Sequence, residues 1–174
     1  SGPSIVDMRC KTSATLAVGE GDRHLYVSNL YRGSGGGGKA RGRKKGTNKA
    51  KAPAGGAAAP GGRALPCVYR VDLGTRGKAE PFAGDPARAG KDGELLTAPG
   101  GIACGGGILY VADRGSDRVV GFNEKDGSVA GQLSVSKPND LGVDPASGAI
   151  YVATSGGDLV KFDGHLLGHV GADH

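Results

Sequence analysis

The chain has 174 residues, of which 35 are Gly, with no Trp, one Met and a formal net charge of +5. Glycine spread along the whole chain costs about 1 kcal/mol per interior helical position, which disfavours long helices. No apolar run reaches the roughly 18 residues of a membrane span, and the N-terminus shows no signal-peptide pattern. Short apolar runs punctuated by turn residues point to an all-β protein. The basic charge is local: residues 32–63 hold nine of the 22 Lys and Arg and no acid. The rest of the chain carries 13 basic against 17 acidic residues, a net of −4.

In chain order, Val6–Cys10 reads as a leftover outer strand. A first set of strands follows at Ala14–Val18, Leu25–Ser28, Cys67–Leu73 and Ala79–Ala83. A second set is predicted at Gly101–Cys104, Ile108–Ala112, Arg118–Phe122 and Val129–Val135. A third is predicted at Asp140–Val143, Ile150–Ala153, Asp158–Phe162 and Leu166–Val170. Gly- and Asp-rich turns separate them, as hairpins require.

The sets are copies of one unit. HLYVSNL (24–30), ILYVADRGSDRVVGFN (108–123) and AIYVATSGGDLVKFDG (149–164) share an aliphatic–Tyr–Val–small–polar order. Tyr110 and Tyr151 are 41 residues apart, within the period of about 40–45 expected for a four-stranded propeller blade. Tyr26 and Tyr110 are 84 apart, or 52 once residues 32–63 are removed. The expected organisation is therefore residues 1–31 as the start of blade one, 32–63 as a disordered insert, and 64–174 as the rest of blade one with blades two and three. Three blades form an arc, whereas closed propellers have about 4–8. An arc leaves two faces for another chain, a second copy or further sequence to cover.

Pro99-Gly100-Gly101-Ile102-Ala103, Leu109-Tyr110-Val111-Ala112-Asp113 and Arg118-Val119-Val120 occur in this order. They resemble the NHL-repeat family of β-propellers, and so does the Gly/Asp-rich connector from Phe82 to Leu96. Pro138-Asn139-Asp140-Leu141-Gly142 opens a looser third copy. The resemblance implies a partial propeller; function does not follow from fold.

Candidate sites are few. Lys39, Arg41, Arg43, Lys44, Lys45, Lys49 and Lys51 form a basic cluster among Gly, Ala and Pro. It reads as a solvated loop insertion, as a salt-sensitive contact to RNA or DNA phosphates or an anionic membrane surface, or as a localisation signal. It has no aromatic residue for base stacking. Asn29, Asp113 and Thr154 end equivalent strands; they are expected to bond the following turn, or else to line a site on the rim. Pro138-Asn139 resembles an element of gluconolactonase-like propellers, where the Asn helps bind a catalytic divalent ion. That implies Asn139, with Asp113 or Asp140, as metal ligands of a lactone hydrolase. A hard ion needs several converging oxygens, and no matching glutamate stands on an early strand.

His165 and His169 lie four apart on an expected strand, about 13 Å and too far for one zinc. The three cysteines (Cys10, Cys67, Cys104) leave room for at most one disulfide. No nucleophile motif or phosphate-binding loop is present; GSGGGGK (33–39) lacks the required ending. The reading is a non-catalytic, cofactor-free scaffold for a protein partner, with the metal-dependent hydrolase and polyanion binding through 32–63 as alternatives.

Overall fold

The computed structural model of the chain describes residues 14–33, 62–75 and 77–163. Alternation of side chains across each strand sets the architecture, because every strand of a stacked blade has a neighbour on both faces. Blade one is an antiparallel sheet of β1 (Thr15–Val18), β2 (His24–Ser28), β5 (Cys67–Asp72) and β6 (Glu80–Gly84). Blade two is β7 (Pro99–Gly105), β8 (Ile108–Asp113), β9 (Arg118–Asn123) and β10 (Val129–Ser134). Blade three contains β11 (Pro138–Val143), β12 (Ile150–Thr154) and β13 (Leu159–Phe162). Every expected strand in the described residues is present, with ends shifted by at most two residues. The expected strands at Val6–Cys10 and Leu166–Val170 lie outside the described residues. The chain is thus a β-propeller segment of about three blades, a partial ring.

One pair of strands was not expected. β3 (Tyr31–Gly33) and β4 (Gly62–Ala64) pair antiparallel, with Arg32 opposite Arg63. Two residues at each end of the segment expected to be disordered therefore belong to a ribbon that leaves blade one between β2 and β5. Residues 34–61 lie outside the described part.

Hairpin chemistry is local. Gly106 and Gly107, both at positive φ (59° and 74°), form the two-residue turn joining β7 to β8. That turn demands left-handed backbone at both positions, where glycine pays no Cβ penalty.

The core consists of the two blade junctions. On β8, Leu109 and Val111 face blade one, and Ile108 and Tyr110 face blade three. On β9, Val120 and Phe122 face blade one while Val119 faces blade three. Junction one adds Tyr26, Val68, Ala83, Leu96 and Ile102; junction two adds Val135, Ile150 and Val152. Each Val, Leu, Ile or Phe among them contributes about 1.5–3 kcal/mol on full burial. Blade two is therefore covered on both faces.

The inner strands β1, β7 and β11 lie side by side, with β7 in the middle. Their approach depends on glycine in β7. A Cβ at Gly101 would fall 2.5 Å from Asp140 Cα, and one at Gly105 would fall 2.5 Å from Val143 Cγ1. Gly101→Ala is expected to lower unfolding stability by about 1–3 kcal/mol, the range of an overpacked core, measured by urea denaturation. Gly142→Ala, where nothing lies within 4 Å of an added Cβ, should change it by less than about 0.5 kcal/mol.

Candidate functional site

The rim carrying the ends of β2, β8 and β12 gathers most of the polar side chains predicted to matter. Strand pairing first fixes which residues correspond. Leu109 pairs with Phe122 and Ile150 with Phe162. Counting along the ladders puts Thr154 and Asp158 where blade two has Asp113 and Arg118. The turn of blade three is one residue shorter, so Gly157 (φ 94°) stands at the place of Asp117 (φ 52°).

In blade two this position is a filled, buried network. Asp113 Oδ1 accepts the backbone N–H groups of Thr97 (3.0 Å) and Ala98 (2.8 Å). Its Oδ2 faces Arg118 Nε at 3.4 Å. Arg118 Nη1 donates to Gln132 Oε1 (3.0 Å) on the outer strand, and Nη2 donates to the Leu95 carbonyl (2.7 Å). Asp113 thus bonds the link that precedes its own blade, rather than only the turn that follows it. A carboxylate so engaged and fully buried is a structural anchor.

In blade three the same position is open. Thr154 Oγ1 accepts the Asp158 N–H (3.2 Å), so this residue does bond the following turn. The link from β10 to β11 is three residues, Val135–Lys137, against the long connector between blades one and two. Lys137 adopts left-handed backbone (φ 47°), a conformation costing about 1–2 kcal/mol for a residue with a Cβ. Asp117 Oδ1 holds its N–H at 2.8 Å, and Ser155 donates to its carbonyl at 2.9 Å. Beside this link is a cleft of about 370 Å³. Val135, Val160 and Phe162 form its apolar wall, and Ser134, Ser136, Lys137, Thr154 and Asp158 its polar edge.

Arg114 spans the rim above the inner strands. It donates to Asn139 Oδ1 (3.3 Å) in blade three and Asn29 Oδ1 (3.4 Å) in blade one. Asn29 sits in left-handed backbone (φ 57°), which Asn tolerates better than most residues. Nearby, the buried Ser28 hydroxyl donates to the Gly100 carbonyl, tying blade one to β7.

The three proposed metal ligands are placed differently. Asp113 is buried in its network, whereas Asn139 and Asp140 are exposed. Asn139 Oδ1 receives Arg114, and Asp140 Oδ1 accepts the Leu141 N–H at 2.9 Å. Among the described residues no three His, Cys, Asp or Glu side chains gather into a metal-binding group.

Lys39, Arg41, Arg43, Lys44, Lys45, Lys49 and Lys51 lie outside the described residues, as do Cys10, His165, His169 and His174. His24 lines a small polar groove with Arg70, Asp72 and Glu80. Cys67 and Cys104 are free thiols. Burial is the main cause that pushes the Cys67 thiol up to about 12. Burial, reinforced by the Glu124 carboxylate, also raises Cys104. Both shifts favour the protonated thiol over the thiolate. No helix among the described residues is long and apolar enough to cross a membrane. Sequence reasoning missed Arg114 and Arg118: their partners are 5 to 85 positions away along the chain.

No protein-family model matches the chain, and no curated protein sequence matches it. Solved structures do. The chain is similar to hydrazine synthase of Kuenenia stuttgartiensis, at 15% identity and a TM-score of 0.55. That match covers 95% of this chain and 37% of the other, so the chain spans little more than a third of that relative. Glutaminyl cyclase of Myxococcus xanthus is 14% identical, with a TM-score of 0.45 over 86% of this chain and 70% of that one. PorZ, a surface component of the type-IX secretion system of Porphyromonas gingivalis, is 13% identical, with a TM-score of 0.38 over 89% and 20%. The first likeness supports the propeller-type fold and nothing finer.

The two rim arginines are expected to differ sharply. Arg118→Met strands a buried carboxylate, which costs about 3–5 kcal/mol. Arg114→Met removes two long hydrogen bonds at a partly exposed rim and should cost less than about 1 kcal/mol. Urea denaturation of both variants measures the difference; equal costs would mean that Asp113 does not depend on Arg118.

Proposed function

We propose that the chain is a non-catalytic NHL-type propeller module that serves as a protein-interaction scaffold, its ring completed by a partner chain, a second copy or further sequence. The observation that carries this is a repeated face left uncovered. Val119 of β9 is fully buried by blade three, while its counterpart Leu159 on β13 is 70% exposed. Tyr151 and Gly142, the counterparts of Tyr110 and Ala103, share that outer face. At the other end of the arc Leu16 and Val18 of β1 are 58% and 51% exposed. Large exposed aliphatics grouped on a sheet face mark an interaction surface.

The non-catalytic reading is supported by how the candidate ligands are used. Asp113 neutralises Arg118, and Asn139 accepts from Arg114. The rim then provides turns on a rigid sheet scaffold, a common arrangement for recognition.

Sedimentation equilibrium on the purified chain tests the reading. Concentration-dependent association is expected. Replacing Leu16 and Leu159 together with Glu should weaken it at least tenfold, about 1.4 kcal/mol, with the far-ultraviolet circular dichroism unchanged. A monodisperse monomer at every concentration, unaltered by the double replacement, would contradict it.

A further inference from the structure

We propose that the cleft between blades two and three is a receptor for an arginine side chain presented by an extended segment of a partner protein. The proposal names the partner chemistry of the scaffold described above and rests on that reading.

Blade two supplies the template. There the Arg118 guanidinium occupies the rim end of the blade, bonded to a carboxylate, a side-chain amide and the carbonyl of Leu95. In blade three the corresponding residue is Asp158. Pro138 corresponds to Pro99, since each opens its inner strand opposite Thr154 or Asp113. Ser134 therefore stands at the place of Leu95, and Val135 at that of Leu96. Leu96 is fully buried in junction one; the smaller Val135 and the shorter Asp158 line the cleft. Among the described residues blade three thus has neither the guanidinium nor its partner carboxylate at their blade-two places: Thr154 stands for Asp113, and Asp158 brings a carboxylate to the place of Arg118.

The lining suits that group. Asp158 forms no hydrogen bond or ion pair through its carboxylate with any described residue, so its acceptor lone pairs face solvent. Thr154 and the serines Ser134 and Ser136 add hydroxyl groups. Val160 and Phe162, whose counterparts Val120 and Phe122 are fully buried, remain only half-buried. They offer an apolar wall for a methylene stem. Among the described residues lining the cleft the one cation is Lys137, whose backbone N–H is held by the Asp117 carboxylate. Asp158 is the one carboxylate among the described lining residues. A planar guanidinium can satisfy a carboxylate and flanking hydroxyls at once, which a lysine ammonium does less well. About 370 Å³ lies within the range of about 300–1,000 Å³ of small-ligand pockets.

The test is a heteronuclear NMR titration of the isotope-labelled chain with the peptide acetyl-Gly-Arg-Gly-amide. Its counterpart with citrulline, the neutral isostere of arginine, is the control. Amide shifts confined to residues 134–137 and 154–162 are expected, with the citrulline peptide at least tenfold weaker. Asp158→Asn should weaken binding by a similar factor. Asp158→Arg, which fills the cleft from within, should abolish it. The spectrum of each variant reports that it is folded. Equal shifts from both peptides, undiminished binding to either variant, or no shift at all would overturn the proposal. Each of those outcomes leaves ring completion intact, because that concerns the outer faces of blades one and three and is read by sedimentation.

Discussion

Three sheets can stack around one inner strand only if that strand allows backbones to meet. β7 does so by placing glycine at Gly100, Gly101 and Gly105, against Asn139, Asp140 and Val143 of β11. Any Cβ there would push blade three outward and open junction two, where Ile150, Val152 and Val135 pack against Ile108, Tyr110 and Val119. On its other face β7 turns Ile102 and Cys104 toward blade one and lends the Gly100 carbonyl to Ser28. The high glycine content thus has a specific structural consequence at this strand. It converts side-chain volume into close sheet contact, at an entropic cost that the packed faces must offset.

With the stacking fixed, the rim chemistry follows from divergence between repeats. Blades two and three each bring a polar residue from the end of the second strand to face one at the start of the third. Blade two uses the pair to anchor itself: Asp113 receives two backbone donors, and Arg118 reaches the outer strand and the incoming link. Blade three carries Thr154 and Asp158 on the same backbone, so no guanidinium closes the rim. The short β10–β11 link adds to the difference, since the smaller Val135 stands in junction two where Leu96 stands in junction one. A structural network in one copy becomes an open, acceptor-rich cleft in the next.

Much of this fold was legible because the LYVA runs alternate faces and recur at a propeller period. Tyr110 and Tyr151 mark corresponding strands in sequence as they do in space, and the expected strands Ile108–Ala112 and Ile150–Ala153 fall one residue short of the observed Ile108–Asp113 and Ile150–Thr154. The β3–β4 ribbon was not legible, because Tyr-Arg-Gly and Gly-Arg-Ala carry no periodicity and merge into a Gly-rich stretch. The one-residue shortening of the blade-three turn was also hidden: an ungapped reading pairs Asp158 with Asp117 instead of Arg118. Of the candidate site, the equivalence of Asn29, Asp113 and Thr154 was readable from the repeats. Their partners were not, since Arg114 meets Asn29 across 85 positions and Asn139 across 25. Such contacts depend on how blades stack, which no local pattern encodes.

Among the described residues blade two is covered on both faces, whereas blades one and three are each covered on one. Native-state hydrogen exchange measures this directly, because protection follows burial and packing. The slowest amides should be those of β8 and β9, exchanging only with global unfolding, and those of β1 and β13 should exchange through smaller openings. Equal protection in all three blades, or slowest exchange in β13, would contradict it.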